Sequence, residues 1–235
     1  MIQSMPIVDV MPAAPPQATL AVHESTARFP VRRLYCIGRN YADHAREMGM
    51  ESDVKDLFFF TKWPDTVRDS GARIPYPPGT TNFHYEVELV VAIGKTARDM
   101  PRSNALDCVF GYAVGLDLTR RDLQFAARDK GRPWDAGKNF DAAAPIGPIT
   151  SRDKAADALQ SRLWLEVNGQ VRQDSNTNQL LFPVDAIIAQ LSSLYVLEPG
   201  DVIMTGTPAG VGPLQRGDQL SGRVAGLDPL EVTIV

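Results

Sequence analysis

The run HYEVELVVAIGK, residues 84–95, carries two glutamates one residue apart, Glu86 and Glu88, in an otherwise apolar stretch. The two-residue repeat of a strand puts His84, Glu86 and Glu88 on one face and Val87, Leu89, Val91 and Ile93 on the other. Neighbouring carboxylates on one side of a buried strand repel each other unless a proton or a cation neutralises them. A hard divalent ion such as Mg2+ does this through oxygen ligands while keeping several waters. The same alternation also suits an exposed edge strand with two harmless acids, and periodicity alone leaves both open. Asp117 ends the apolar run FGYAVGLD, where strand gives way to loop, and is the best candidate for a third ligand. Its competing role is to cap the helix that follows. His84 could serve a transition metal. Oxygen chemistry does not need imidazole, however, so a packing or supporting role is expected for it.

A second pair lies in NYADHAREMG, where His44 and Glu47 are three residues apart on a short helix. At that spacing the carboxylate can hold and polarise the imidazole, as in a general-base dyad. A surface ion pair is the plain alternative. GTPAGVG, residues 206–212, lacks the lysine and hydroxyl residue of a P-loop and the GxGxxG spacing. A tight turn offering backbone N–H groups and the Thr207 hydroxyl to an anion is the more economical reading.

The elements that must position these groups can be drawn along the chain. The first thirty residues are rich in proline and alanine and suggest an extended arm or peripheral strand. Leu34 to Gly38 suits a buried strand. The helix of NYADHAREMG has Asn40 as candidate N-cap, Gly49 as its stop, and Tyr41, Ala45 and Met48 on one face. Cys108 to Leu116 reads as a strand leading into a helical DLTRRDLQFAARDKG. Leu163 to Val167 forms a strand that turns at NGQ into VRQDS. Pro183 opens an amphipathic helix with Val184, Ile187, Ile188, Leu191 and Leu194 on one stripe. Val202 to Thr205 is a further strand, and the C-terminal stretch gives two more. Many short strands, few helices and no regular βαβ alternation argue for an α+β fold with a dominant β core.

Bulk properties narrow the partners. Of 235 residues, 44% are hydrophobic and 22% charged, as in ordinary globular proteins. A net charge of -4 without a basic stripe argues against nucleic acid or an anionic membrane surface. No apolar run approaches the ~20 residues of a spanning helix, and the N-terminal segment lacks the marks of a signal peptide. Cys36 and Cys108 sit in apolar stretches, where reduced, buried, inert thiols are expected. A cytoplasmic location follows as the expectation.

Six stretches, YCIGRNYADHAREMG, FFFTKW, HYEVELVVAIGK, GYAVGLDLTRRDLQ, PWDAGKNFD and PGDVIMTGTPAGVGP, together resemble the fumarylacetoacetate hydrolase superfamily. The similarity runs from about Val31 to the C-terminus, and the lead-in FPVRRLYCIGRNY is most similar to the bacterial fumarylpyruvate hydrolases of aromatic (gentisate) degradation. The resemblance implies a mixed β-sandwich roll over residues 31–235, which leaves residues 1–30 as the arm suggested by their composition. It also implies a short lid helix, a homodimer, and Mg2+ or Mn2+ held by Glu86, Glu88 and Asp117. His44 and Glu47 fall on the family's catalytic dyad, and Arg121, Gln124, Lys138 and Thr207 on its substrate-binding positions. The implied reaction is hydrolysis of the C–C bond of a 2,4-dioxo acid, with fumarylpyruvate giving fumarate and pyruvate. Acylpyruvate hydrolysis or oxaloacetate decarboxylation on the same scaffold are the alternatives, and a non-catalytic metal-dependent binding protein is a remote one. A fumaryl group brings a far carboxylate, for which Arg39, Arg46 and Lys62 are the candidate partners.

Overall fold

The computed structural model describes residues 12–47, 49 and 56–235. Two mixed sheets account for most of it. The first has six strands in the spatial order Thr150–Ser151, Val109–Leu116, Val87–Ile93, Asp201–Met204, Arg33–Gly38, Phe58–Lys62. Asp201–Met204 runs parallel to Arg33–Gly38, and the other pairings in this sheet are antiparallel. The second has five strands in the order Gln170–Asn176, Arg162–Val167, Gln219–Val224, Leu230–Ile234, Ala72–Ile74. Among the described residues four α-helices accompany them: α1 Ala42–Glu47, α2 Arg121–Arg128, α3 Asp135–Lys138 and α4 Val184–Leu194. This is the expected α+β arrangement with a dominant β core.

The alternation in Val87–Ile93 explains how the layers stack. Val87, Leu89, Val91 and Ile93 enter a large cluster with Leu163, Leu165, Leu220 and Val232 of the second sheet. Val90 and Ala92 enter a smaller cluster on the opposite face with Leu34, Cys36, Val202 and Met204. Both faces of this central strand are therefore covered, and all seven of its residues are buried. The exposed-edge reading of Glu86 and Glu88 is excluded by that position. Burying a large aliphatic side chain contributes roughly 1.5–3 kcal/mol, so the strand is among the firmest parts of the molecule.

Several local expectations change. Of the two expectations for the N-terminal stretch, residues 19–30 take the peripheral strand: Thr19–Ala21 and Arg28–Pro30 form an antiparallel hairpin whose Leu20 and Phe29 join the smaller cluster. Residues 1–11 of the expected arm lie outside the described residues, as does Met48 of the α1 face. Asn40 does not cap α1. Its side chain donates to the Phe182 and Thr205 carbonyls and accepts the Phe182 N–H, while Tyr41 supplies the first helical carbonyl to Ala45. Gly49 does follow the helix at φ +70, donating to the Arg46 carbonyl. In α4, Val184, Ile187, Ile188 and Leu191 are buried, but Leu194 is 58% exposed because the last turn extends past the core. The NGQ turn forms as expected, with Asn168 and Gly169 both at positive φ between the two paired strands.

Candidate active site

Glu86 sits between the short strand Phe83–Tyr85 and Val87–Ile93, and the Asp117 N–H donates to the Glu86 carbonyl at 2.9 Å. That bond, together with the pairing of Val87 with Leu116 and of Glu88 with Gly115, brings the ends of two central strands side by side. A Cβ at Gly115 would come within 2.6 Å of Val90 Cγ2, so glycine permits the close approach opposite Glu88. The result is a group of three buried carboxylates, Glu86, Glu88 and Asp117, each offering an oxygen within 4.8 Å of the others. Asp117 caps no helix; Arg120 occupies that position for α2.

The charges of this group are unequally balanced. Lys138 Nζ donates to Glu86 Oε2 and Asp117 Oδ2 at 2.7 Å each and to Thr119 Oγ1 at 2.8 Å. Arg121 donates to the other Glu86 oxygen and, at 2.6 Å, to Gln124 Oε1. Lys62 Nζ lies 2.9 Å from Asp117 Oδ1. Burial favours a protonated Glu86, but Lys138 and Arg121 outweigh it and hold this carboxyl well below the usual range. Burial also opposes the charge on Lys138, and Asp117 and Glu86 more than offset it, raising the ammonium pKa. Glu88 is the exception. Burial, reinforced by the charges of Asp117 and Glu86, pushes its carboxyl well above the normal value, and the single N–H of Gly206 at 2.7 Å does not compensate. A buried carboxylate without a cation, next to two others, is a donor set built from hard oxygens, and these residues fit a divalent ion such as Mg2+ or Mn2+. Burial and the Arg121 charge bring the His84 pKa down to about 4, so this ring is neutral near pH 7, with Nε2 2.8 Å from Asn82 Oδ1. Its role there is packing and support.

The dyad is assembled differently. His44 is buried on α1, and its Nδ1 lies 3.0 Å from Glu47 Oε2. The Gly210 N–H donates to both Glu47 oxygens at 3.0 and 3.3 Å. The glycine-rich loop thus does offer N–H groups to anions, and the anions are the protein's own carboxylates: Gly206 serves Glu88 and Gly210 serves Glu47. Among the described residues the His44 ring makes no other side-chain hydrogen bond, which leaves Nε2 available.

One pocket of about 470 Å3 joins these parts, lined by His44, Glu86, Glu88, Asp117, Arg121, Gln124, Lys138 and Thr207 among others. Every residue anticipated for the metal, the dyad and the keto-acid end therefore lines it except Glu47, which stands behind His44. Lys138 reaches it because Gly137 lies so close to α2 that a Cβ there would be 2.7 Å from the Gln124 nitrogen. The Thr207 hydroxyl accepts from Gln173 Nε2 at 2.8 Å. Sequence reasoning missed Gln173, whose amide also accepts the Val87 N–H and donates to the Pro208 carbonyl, tying the second sheet to the site. It also missed the wall of Phe60, Phe125, Arg128 and Trp134. The only signal for Gln173 was a polar side chain at an inward position of a strand. Lys62, anticipated as a partner for substrate, is instead committed beneath Asp117, and donates to the Leu118 and Lys138 carbonyls. Arg46 is likewise committed, to Asp43 at 2.8 Å.

The family model described as the C-terminal domain of fumarylacetoacetate (FAA) hydrolase matches residues 33–235. The chain belongs to the fumarylacetoacetate hydrolase family. Within it, the chain is 47% identical over 185 residues to a fumarylpyruvate hydrolase of a Ralstonia species, covering 79% of this chain and 96% of that protein. It is 40% identical over 196 residues to the human mitochondrial oxaloacetate tautomerase, covering 83% and 88% of the two chains. Among solved structures, it is similar to the Pseudomonas aeruginosa fumarylpyruvate hydrolase in complex with Mn2+ and pyruvate. That match has a TM-score of 0.92 and 46% identity, and covers 95% of this chain and 98% of the other. The family's fold, a mixed β roll, is the one found here.

Proposed function

We propose that the protein is a divalent-metal-dependent hydrolase of carbon–carbon bonds in ketonic substrates, cleaving fumarylpyruvate to fumarate and pyruvate. The observation that carries this reading is the shared pocket, in which the three buried carboxylates face the His44/Glu47 dyad. Its likeness to two fumarylpyruvate hydrolases, one solved with Mn2+ and pyruvate, supports the substrate. Glu86, Glu88 and Asp117 would hold Mg2+ or Mn2+, which when bound supplies positive charge for the enolate that departs as the C3–C4 bond breaks. His44 accepts a proton at Nε2 from the water that adds to the C4 carbonyl, and Glu47 balances the resulting imidazolium. Collapse of the tetrahedral species passes the bonding pair to C3, where a proton is then taken up. Arg121, Gln124, Lys138 and Thr207 orient the keto-acid end and bind its negative charge. We infer that residues 31–235 act as one catalytic domain. We also infer a homodimer, and a cytoplasmic location, which the two buried free thiols, Cys36 and Cys108, suit; among the described residues no helix is long and apolar enough to cross a membrane.

Oxaloacetate chemistry is the second reading, favoured by the human relative and by a 40% identical oxaloacetate decarboxylase of Dictyostelium discoideum. Loss of ultraviolet absorbance with fumarylpyruvate, acetylpyruvate and oxaloacetate, each with Mg2+, separates the two. Fumarylpyruvate is expected to turn over fastest. Turnover of oxaloacetate alone would overturn the assignment.

A further inference from the structure

Four cationic side chains line the pocket: Arg39, Arg121, Arg128 and Lys138. Two of them, Lys138 and Arg121, are spent on Glu86 and Asp117. Among the described residues the one carboxylate that Arg128 meets is its neighbour Asp129 at 2.9 Å, a partly exposed contact of the kind worth little to stability, and its guanidinium lies over the Phe125 ring. Arg39 differs from all three. Among the described residues its guanidinium meets no carboxylate, and its charge rests over the Phe58 ring, 5.3 Å from the centroid. Its Nε is buried and, among the described residues, has no hydrogen-bond partner. Leaving a donor of a charged group buried and unmatched is unfavourable, which points to an anion delivered by whatever fills the pocket.

The backbone at this point carries a second mark. Arg39 has φ +60, in the left-handed region that long side chains rarely adopt, where the strand Arg33–Gly38 turns toward α1. Such strain persists where the surrounding structure dictates it, and here the preceding residue is fixed: a Cβ at Gly38 would be 2.6 Å from the Phe58 ring. Arg121, Gln124 and Arg128 follow one another along α2 at i, i+3 and i+7, and all three line the same pocket as Arg39. The rise of a helix over those seven residues is about 10 Å. Arg121 therefore stands at the carboxylate triad, and Arg128 two turns farther along the cavity.

We propose that Arg39, with Arg128 as its second, is the receptor for a second carboxylate at the end of the substrate remote from the triad. On this account the enzyme selects dioxo acids whose acyl group ends in a carboxylate over those with a neutral alkyl end. The inference rests on the hydrolase reading for the identity of the near end, and refines it at the far end. A planar, forked guanidinium suits a planar carboxylate better than a lysine would.

The test uses two unreactive acids bound to the full chain in the presence of Mg2+, followed by calorimetry. 2-Oxoheptanedioate has the seven-carbon length of fumarylpyruvate and both terminal carboxylates but no 4-oxo group; 2-oxoheptanoate lacks only the far carboxylate. The wild-type protein is expected to prefer the diacid roughly 10- to 100-fold, as a charge-assisted contact provides. Arg39→Gln should lose most of that preference, Arg128→Gln a smaller part, and Arg39→Lys should keep an intermediate value. Absence of a preference in the wild type, or a preference that survives in both glutamine variants, overturns the proposal. Should Arg39→Gln fail to fold, Arg39→Lys and Arg128→Gln decide the matter by the same ratio. Failure of the hydrolase reading is distinguishable: the wild type would discriminate between the two acids yet leave fumarylpyruvate intact.

Discussion

The carboxylate triad and the His44/Glu47 dyad face one pocket but are built by opposite means. Glu86, Glu88 and Asp117 issue from two adjacent inner strands of a sheet covered on both faces, and the Asp117 N–H is hydrogen-bonded to the Glu86 carbonyl. His44 and Glu47 stand on a helix of only six residues, too short to be stable alone. That helix is fixed from outside, by the buried Tyr41 and Ala45, by Asn40 bridging Phe182 and Thr205, and by Gly210 gripping Glu47. The contrast suits the chemistry. A metal site needs ligands held within tight tolerances, whereas a base must meet a substrate that has to enter and leave.

The contrast can be broken at several points. The largest effect is expected at the sheet: Glu86→Gln or Asp117→Asn should lower turnover by about 10³-fold or more, because Lewis-acid stabilisation is worth several kcal/mol. Exhaustive EDTA treatment should abolish activity, with Mg2+ or Mn2+ restoring it. Next come the dyad variants. His44→Ala and Glu47→Gln should each cost ~10²–10⁴-fold in kcat, the usual range for a general base. Gly210→Ala probes the outside support of α1. It places a side chain at φ +96 with its Cβ 2.2 Å from the Arg172 carbonyl oxygen, and should reduce kcat about 10- to 100-fold by displacing Glu47 and hence His44. The smallest effects concern the scaffold. In denaturant titrations Leu191→Ala should cost about 2–5 kcal/mol as a buried leucine does, while Leu194→Ala on the same helical stripe should stay within about 0.5 kcal/mol.

That last pair shows where sequence patterns stop being informative. The stripe through α4 was legible because a helix repeats every 3.6 residues, but periodicity does not say where the core ends, so Leu194 was placed inside. The Glu86/Glu88 face and the third carboxylate at Asp117 were legible because strand alternation and a strand-to-loop boundary are local properties. Their burial in the middle of a sheet was not, since it depends on the antiparallel partner Asp201–Met204, more than a hundred residues away. Asn40 illustrates the competing case. Its type and place fit a helix cap, yet two loops that converge from distant sequence claimed its amide. Lys62 stood in a segment that suggested substrate contact, and tertiary packing put it under Asp117 instead. Gln173 and Arg128 carried no motif of their own, and Trp134 stood in one without a role assigned to it, because the pocket wall is defined by three-dimensional proximity.

The division of labour between sheet and helix is tested most directly by Mn2+ titration, following the free ion by electron paramagnetic resonance in the wild type, Glu88→Gln and His44→Ala. The structure predicts that His44→Ala takes up Mn2+ as the wild type does and that Glu88→Gln does not. Wild-type affinity in Glu88→Gln, or lost binding in His44→Ala, would contradict it.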